Sequence, residues 1–239
     1  MKTKALLLAV LAVAPASWST ASAAPMQAAQ ENVALEVGRL FAPPELMLAS
    51  AAKGFDEGFS RSIADDQNLK TAEKRYPGLT AAVKAAARGA VLEGMKGGIG
   101  DLQAQAAALF GREFTPVEQS QLLEFMRSST GRKLVSLGDQ VYDTDKLVGK
   151  LATDSNTKLT QQDVAAAQSF AFIGKMTEPE LMELVRFSAT PTGGKFRTVL
   201  PKVQALMASW TNDLVAKQQQ PIQAAVMRAM RTHIAGAGK

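Results

Sequence analysis

Residues 114–141 recur at 176–203, at one offset of 62 positions and without a gap. Thr115 matches Thr177, Glu118 matches Glu180, Phe125 matches Phe187 and Val141 matches Val203. Between them, Thr130-Gly131-x-Lys133 matches Thr192-Gly193-x-Lys195. The pattern predicts a helix–corner–helix module built twice. It constrains how the chain is assembled and carries no active-site signature.

Each copy opens on a capping box. Thr115 and Thr177 are followed three residues later by Glu118 and Glu180, so the threonine oxygen can accept the N3 amide proton while the glutamate reaches back to the N-cap amide. Met176 and Leu181 stand at N′ and N4 of the second copy, where a hydrophobic staple forms; the first copy has Phe114 and Gln119 there. Leu122, Leu123 and Phe125, with partners Leu184, Val185 and Phe187, share one broad helix face opposite Glu124 and Arg186. Both copies are expected to bury this stripe, with Phe125 and Phe187 as equivalent core anchors. The corners follow. Ser129-Thr130-Gly131 and Thr190-Pro191-Thr192-Gly193-Gly194 interrupt one helix and start the next, with Thr190 and Pro191 in the N-cap/N1 order. Glycine there serves a close backbone approach or a positive φ.

The rest of the chain reads as helix as well. Alanine, leucine, methionine, glutamine and lysine are straight-chain helix formers or alanine itself. Val33, Val37 and Leu40 step by four and three, Phe55, Phe59 and Ile63 by four, and Phe196, Val199, Val203, Leu206, Trp210 and Leu214 hold one face of a long helix. The fold class is therefore all-α, a helical bundle. Proline and glycine place the breaks: Pro43-Pro44, Tyr76-Pro77-Gly78, and Gln218-Gln219-Gln220-Pro221, which should divide the long helix from a short basic one. Asp65 to Lys74 is polar, Thr153 to Thr160 reads as a polar linker between the copies, and Ala235 to Lys239 should fray.

The amino terminus carries an address. Lys2 and Lys4 precede an apolar run from Ala5 to Ala14, and Ala21-Ser22-Ala23 fits the small-x-small cleavage rule, so residues 1–23 read as a signal peptide and 24–239 as the all-helical domain. The expected location is periplasmic, with secretion the alternative. The run is shorter than the roughly 20 residues a transmembrane helix needs, and no later stretch is long and apolar enough. Cysteine is absent, which excludes lipoprotein attachment and disulfide staples, so roughly 215 residues must supply their own core. The formal charge of +5 falls by two when Lys2 and Lys4 leave. The remaining excess forms no dense basic stripe with interleaved aromatics, so nucleic-acid binding is not expected.

Candidate chemistry is sparse. Thr192-Gly193-Gly194-Lys195 invites a phosphate-loop reading, but a P-loop requires G-x-x-x-x-G-K-[S/T] between strand and helix, and neither the upstream glycine, the hydroxyl residue nor the strand is present. A weaker anion or interaction corner made of Lys133, Thr192, Gly193 and Lys195 stays open against the plainer reading, in which glycine turns the chain and lysine solubilises it. Gly94 to Gly100 lacks G-x-G-x-x-G; Ala90, Gly94 and Gly98 step by four and suit a hinge or a close helix crossing. His233 is the single histidine and lacks visible partners for a triad or a metal. Asp65-Asp66, Asp139, Asp143 and Asp145 are the nearest carboxylate groupings, and Asp143-Thr144-Asp145 lacks the rest of a calcium loop. No cofactor motif is read.

Phe187 to Lys195, FSATPTGGK, resembles the signature of a bacterial family designated domain of unknown function 2059 (DUF2059). Phe187, Thr190, Pro191, Gly193 and Lys195 match; Ser188 stands where the family has tyrosine, and in the first copy Met126 and Ser129 replace the tyrosine and the proline. The resemblance spans about 170–225 with a degenerate echo at 114–141. It implies an all-helical exported domain and brings no activity with it. Abundant methionine, an adaptable side chain at irregular interfaces, and a basic amphipathic C-terminal segment with Ile222, Val226, Met230 and Ile234 opposite Arg228 and Arg231 add to the picture. That segment either packs onto the body or lies on an anionic membrane. The expected function is non-enzymatic binding of another envelope protein or a peptide. The alternative is a periplasmic enzyme using dispersed carboxylates and lysines, which a deep polar pocket would favour.

Overall fold

A computed structural model describes residues 23–64, 66–137, 158–167 and 171–237. The readings at Asp65, Asp139, Val141, Asp143 and Asp145, residues 1–22 of the expected signal peptide, and most of the Thr153 to Thr160 segment lie outside them. Every regular element among the described residues is a helix, and none is a strand. The all-α expectation is met.

Helix α1 (Ala23–Phe41) ends where Pro43 approaches, and α2 (Pro44–Ala64) starts on the second proline of that pair. The polar stretch beyond is itself a helix, α3 (Gln67–Arg75), capped by Asp66, whose carboxylate accepts from the amides of Asn68 and Leu69 at 2.9 and 3.0 Å. Helix α3 buries no side chain, which is why no apolar period announces it. Gly78 then turns the chain at φ +89°, a left-handed conformation that favours glycine. Glu73 closes this turn by accepting from the amides of Gly78 and Thr80 at 2.6 and 2.7 Å.

Two long helices form the spine, α4 (Leu79–Glu113) and a final helix of 47 residues, Pro191–Ala237. They run antiparallel. Trp210 Nε1 donates to the Gly98 carbonyl at 3.1 Å, and at the far end His233 Nε2 lies 3.0 Å from the Pro77 carbonyl. The Ala90/Gly94/Gly98 step is a close crossing and no hinge. A Cβ on Gly98 would stand 3.0 Å from Leu214, and one on Gly94 would fall inside the Gln218 side chain. The other face of α4 receives α1, where Gly38 lies so close that a Cβ would come within 2.4 Å of the Gln103 carbonyl. The core forms where these elements meet, from Val37, Leu109, Phe110, Phe114, Leu122, Leu123, Val199 and Val203.

The division expected at Gln218 to Pro221 does not occur: the final helix passes through Pro201 and Pro221. Each proline removes one backbone bond, which costs a helix interior about 3 kcal/mol. Both prolines are exposed, as are Arg197 and Lys217, four residues before them, so water can reach the carbonyls left unpaired. Packing along α4 keeps the helix continuous. The basic terminal turns are part of that packing, with Ile222, Val226 and Met230 half-buried, and the helix continues to Ala237 where fraying was expected at Ala235.

Candidate functional site: two corners braced across a pair

The first corner joins α5 (Pro116–Arg127) to α6 (Ser129–Ser136). The intervening segment contributes α7 (Gln161–Ala167) and a 3₁₀ turn (Ala171–Lys175), after which α8 (Glu178–Ala189) meets the final helix, here α9, at the second corner. The two corners have the same local construction. Thr115 and Thr177 both donate their backbone amides to the glutamate three residues on, at 2.7 Å in each case. At the turns, Ser128 Oγ accepts from Gly131 N at 3.1 Å and Thr190 Oγ1 from Gly193 N at 3.0 Å. Gly131 and Gly193 are needed for close approach. A Cβ on either would sit 2.0 Å from a carbonyl oxygen, that of Phe125 or of Phe187, and neither has a positive φ.

The corners face each other and exchange their polar groups. Lys195 Nζ donates to Glu118 Oε2 at 2.6 Å, and Lys133 Nζ donates to Glu180 Oε2 at 2.6 Å. Thr130 Oγ1 donates to Glu183 Oε2 and Thr192 Oγ1 to Gln121 Oε1, each at 2.5 Å, and both threonines are buried. Gln121 and Glu183 themselves stand 62 positions apart. Where the pair meets, the rings of Phe125 and Phe187 stack with centroids 3.9 Å apart and planes 5° from parallel. Each corner is thus finished by side chains of the other.

This arrangement decides what the corner can do chemically. The two lysines expected to solubilise the turn, or to hold an anion there, are already spent on carboxylates. Hydrogen bonding from Lys195, then from the Thr115 amide, holds the Glu118 carboxyl below its ordinary value; Lys133 and the Thr177 amide do the same for Glu180. The Thr130 hydroxyl, then that of Ser128, lowers Glu183. A free anion would have to displace a carboxylate that three donors already satisfy at Glu118, one of them the Thr115 hydroxyl at 3.0 Å. The geometry is that of a joint.

Two expectations for these helices need correction. Phe125 and Phe187 are half-buried and not fully enclosed: their rings cover each other, and Phe187 also packs against the edge of the core cluster. The two copies also do not bury the same stripe. Leu122 and Leu123 are buried, while α8 buries no side chain at all and leaves Val185 60% exposed and Met182 53% exposed. Among the described elements the difference is one neighbour: α1 packs on α5, whereas α8 packs chiefly on α6 and α9. At the N′ positions both Phe114 and Met176 are buried; Gln119, where the first copy lacks its staple residue, instead donates to the Phe114 carbonyl at 2.8 Å.

Other polar features stand apart. A cleft of about 280 Å³ between α4 and α9 is lined by Gly94, Gly98 and Trp210 with the exposed carboxylates Glu93, Asp101 and Asp213. On α2, Asp56 bonds Lys84 at 2.9 Å and Arg88 at 3.2 Å, and the Lys84 ammonium foremost holds its carboxyl low. Among the described residues no group of three His, Asp or Glu side chains is placed to hold a metal ion, and no helix is long and apolar enough to cross a membrane. Comparison of the chain with family models, curated proteins and solved structures finds no match.

Proposed function

We propose that this is an exported helical protein that binds another envelope protein or a peptide and carries no catalytic centre, and that its two corner modules are copies of one ancestral unit of the DUF2059 kind. One observation supports the binding reading most directly. Val185 is 60% exposed at the place in its module where Leu123, in the other, is 7% exposed. A module whose twin hides this stripe presents it to solvent, with Met182 one turn away, and exposed aliphatic side chains grouped on one helix face are the mark of an interaction surface. The methionine suits a partner of irregular contour.

The test is photo-crosslinking in intact cells, with a crosslinking residue at Val185 and, as control, at Val117, which is 68% exposed on α5. A discrete adduct from Val185 that is missing from Val117 is the expected result. Equal or absent adducts at the two positions would remove the binding reading. Export is checked separately: periplasmic material should begin at Ala24, and recovery of an intact Met1 species in the membrane fraction would overturn it.

A further inference from the structure

We infer that the partner engages α8 as an amphipathic helix, seated as α1 is seated on α5. The inference rests on the binding reading above and adds the chemistry of the occupant. Its basis is that two segments matched in sequence build similar helix corners, one covered by α1 and one open, so the covered one shows what the open one accepts.

On the covered copy, α1 brings Val33, Val37 and Leu40 against the cluster that holds Leu122 and Leu123. It lies in the angle between α5 and the last turns of α4. There Gly111 faces it, since a Cβ on Gly111 would stand 3.7 Å from the Ala34 Cβ. Moving 62 positions along the chain, and three residues beyond the recurring segment for Gly111, puts an apolar residue that is at least partly exposed at each of these floor positions. Leu122 becomes Leu184, half-buried; Leu123 becomes Val185; Gly111 becomes Ile173, 45% exposed on the 3₁₀ turn before α8. Gln119, which spends its side-chain amide on the Phe114 carbonyl, becomes Leu181. The open floor is therefore more apolar than the covered one.

These positions also say what the occupant must look like. Helix-in-groove recognition is read as apolar anchors at i, i+3 or i+4, and i+7, which is the spacing of Val33, Val37 and Leu40. With isoleucine in place of glycine at 173, the opposing residue must be small. At the rim, Arg127 of α5 pairs with Glu36 of α1, but its counterpart in α8 is Ala189, so no acid is required at that register. A second copy of this chain is a poor occupant, because its own α1 already lies against its α4 and α5.

The chain has no cysteine, so Val185→Cys and Val117→Cys each place one thiol in the full protein. The probe is a helix-stabilised peptide with the sequence of residues 31–41. Both thiols should be alkylated at similar rates in the free protein. Saturating peptide should slow Cys alkylation at position 185 about tenfold by excluding water from the contact, and leave position 117 unchanged. A peptide with Val33 and Val37 both replaced by Asp should give no protection. Slow alkylation at 185 without peptide would mean that the face is already covered, by residues 138–157 if independent of concentration or by a second copy if not, and either outcome overturns the inference. Absence of protection by the parent peptide overturns it as well. A Val185 adduct in cells together with no peptide protection would leave the binding reading standing and remove only the helical occupant.

Discussion

Glycine at 193 and glycine at 97 look alike in the sequence and have opposite roles. At Gly193 a Cβ meets the Phe187 carbonyl at 2.0 Å, whereas at Gly97 it meets nothing within 4 Å. Gly193→Ala should therefore cost about 1–3 kcal/mol, as overpacking does. Gly97→Ala should add about 0.4–1 kcal/mol by restricting the unfolded chain. Thermal melts of the two variants decide this, and equal shifts would mean the corner has room that its geometry denies. The carboxylates nearby give the fold an acid dependence of known sign. Glu118, Glu180 and Glu183 all titrate below their ordinary value of 4.5 when folded. The unfolded chain thus takes up protons first as pH falls, so their contribution is complete above about 4.5 and disappears as pH drops through the folded values. Replacing Lys133 and Lys195 together by Met should flatten this acid limb without abolishing it, because the Thr115 and Thr177 amides remain. An unchanged profile from pH 7 to pH 3 would show the ion pairs to be idle.

Helices whose apolar residues recur with period were legible in advance, as were both capping boxes, since these signals lie within a few residues of one another. The breaks were less so. Pro43-Pro44 ends a helix, while Pro221 does not, and nothing local separates the two. What differs is tertiary: α9 has α4 beside it on both sides of Pro221, and that contact holds the backbone in register. A polar segment such as Gln67–Arg75 forms a capped helix that rests on α4 without burying a side chain, which a search for apolar stripes passes over. If packing is indeed carrying α9 through its prolines, Pro221→Ala restores a backbone donor and should raise stability by about 1–3 kcal/mol, below the full interior penalty because the unfolded chain loses its proline constraint. A lower melting temperature would show instead that proline fixes a bend the packing needs.

The bracing of the corners was only partly visible in the sequence. Lys133, Thr192, Gly193 and Lys195 stood out in the sequence as a group, yet the side-chain partners of Lys133, Thr192 and Lys195 lie 47 to 77 residues away, and distance in the chain hid them. One signal could have found them: Glu118/Glu180 and Lys133/Lys195 are the charged residues that the two matched segments share, and two similar segments that meet face to face bring such an acid and base together twice. The asymmetry of the stripes, by contrast, depends on α1, which has no second copy to warn of it. Reciprocal bracing also has an arithmetic of its own. Lys133 with Glu180 and Lys195 with Glu118 are contacts between a front half and a back half, and they do not record whether both halves belong to one polypeptide. Two chains that open together can close on each other and recover every one of these bonds, the route by which domain swapping yields dimers at little cost. Refolding at high protein concentration should trap such a dimer, separable by size from the monomer and stable until unfolded again. Within one chain the second half is always the nearest partner for the first, and that proximity is what favours closure on itself at low concentration.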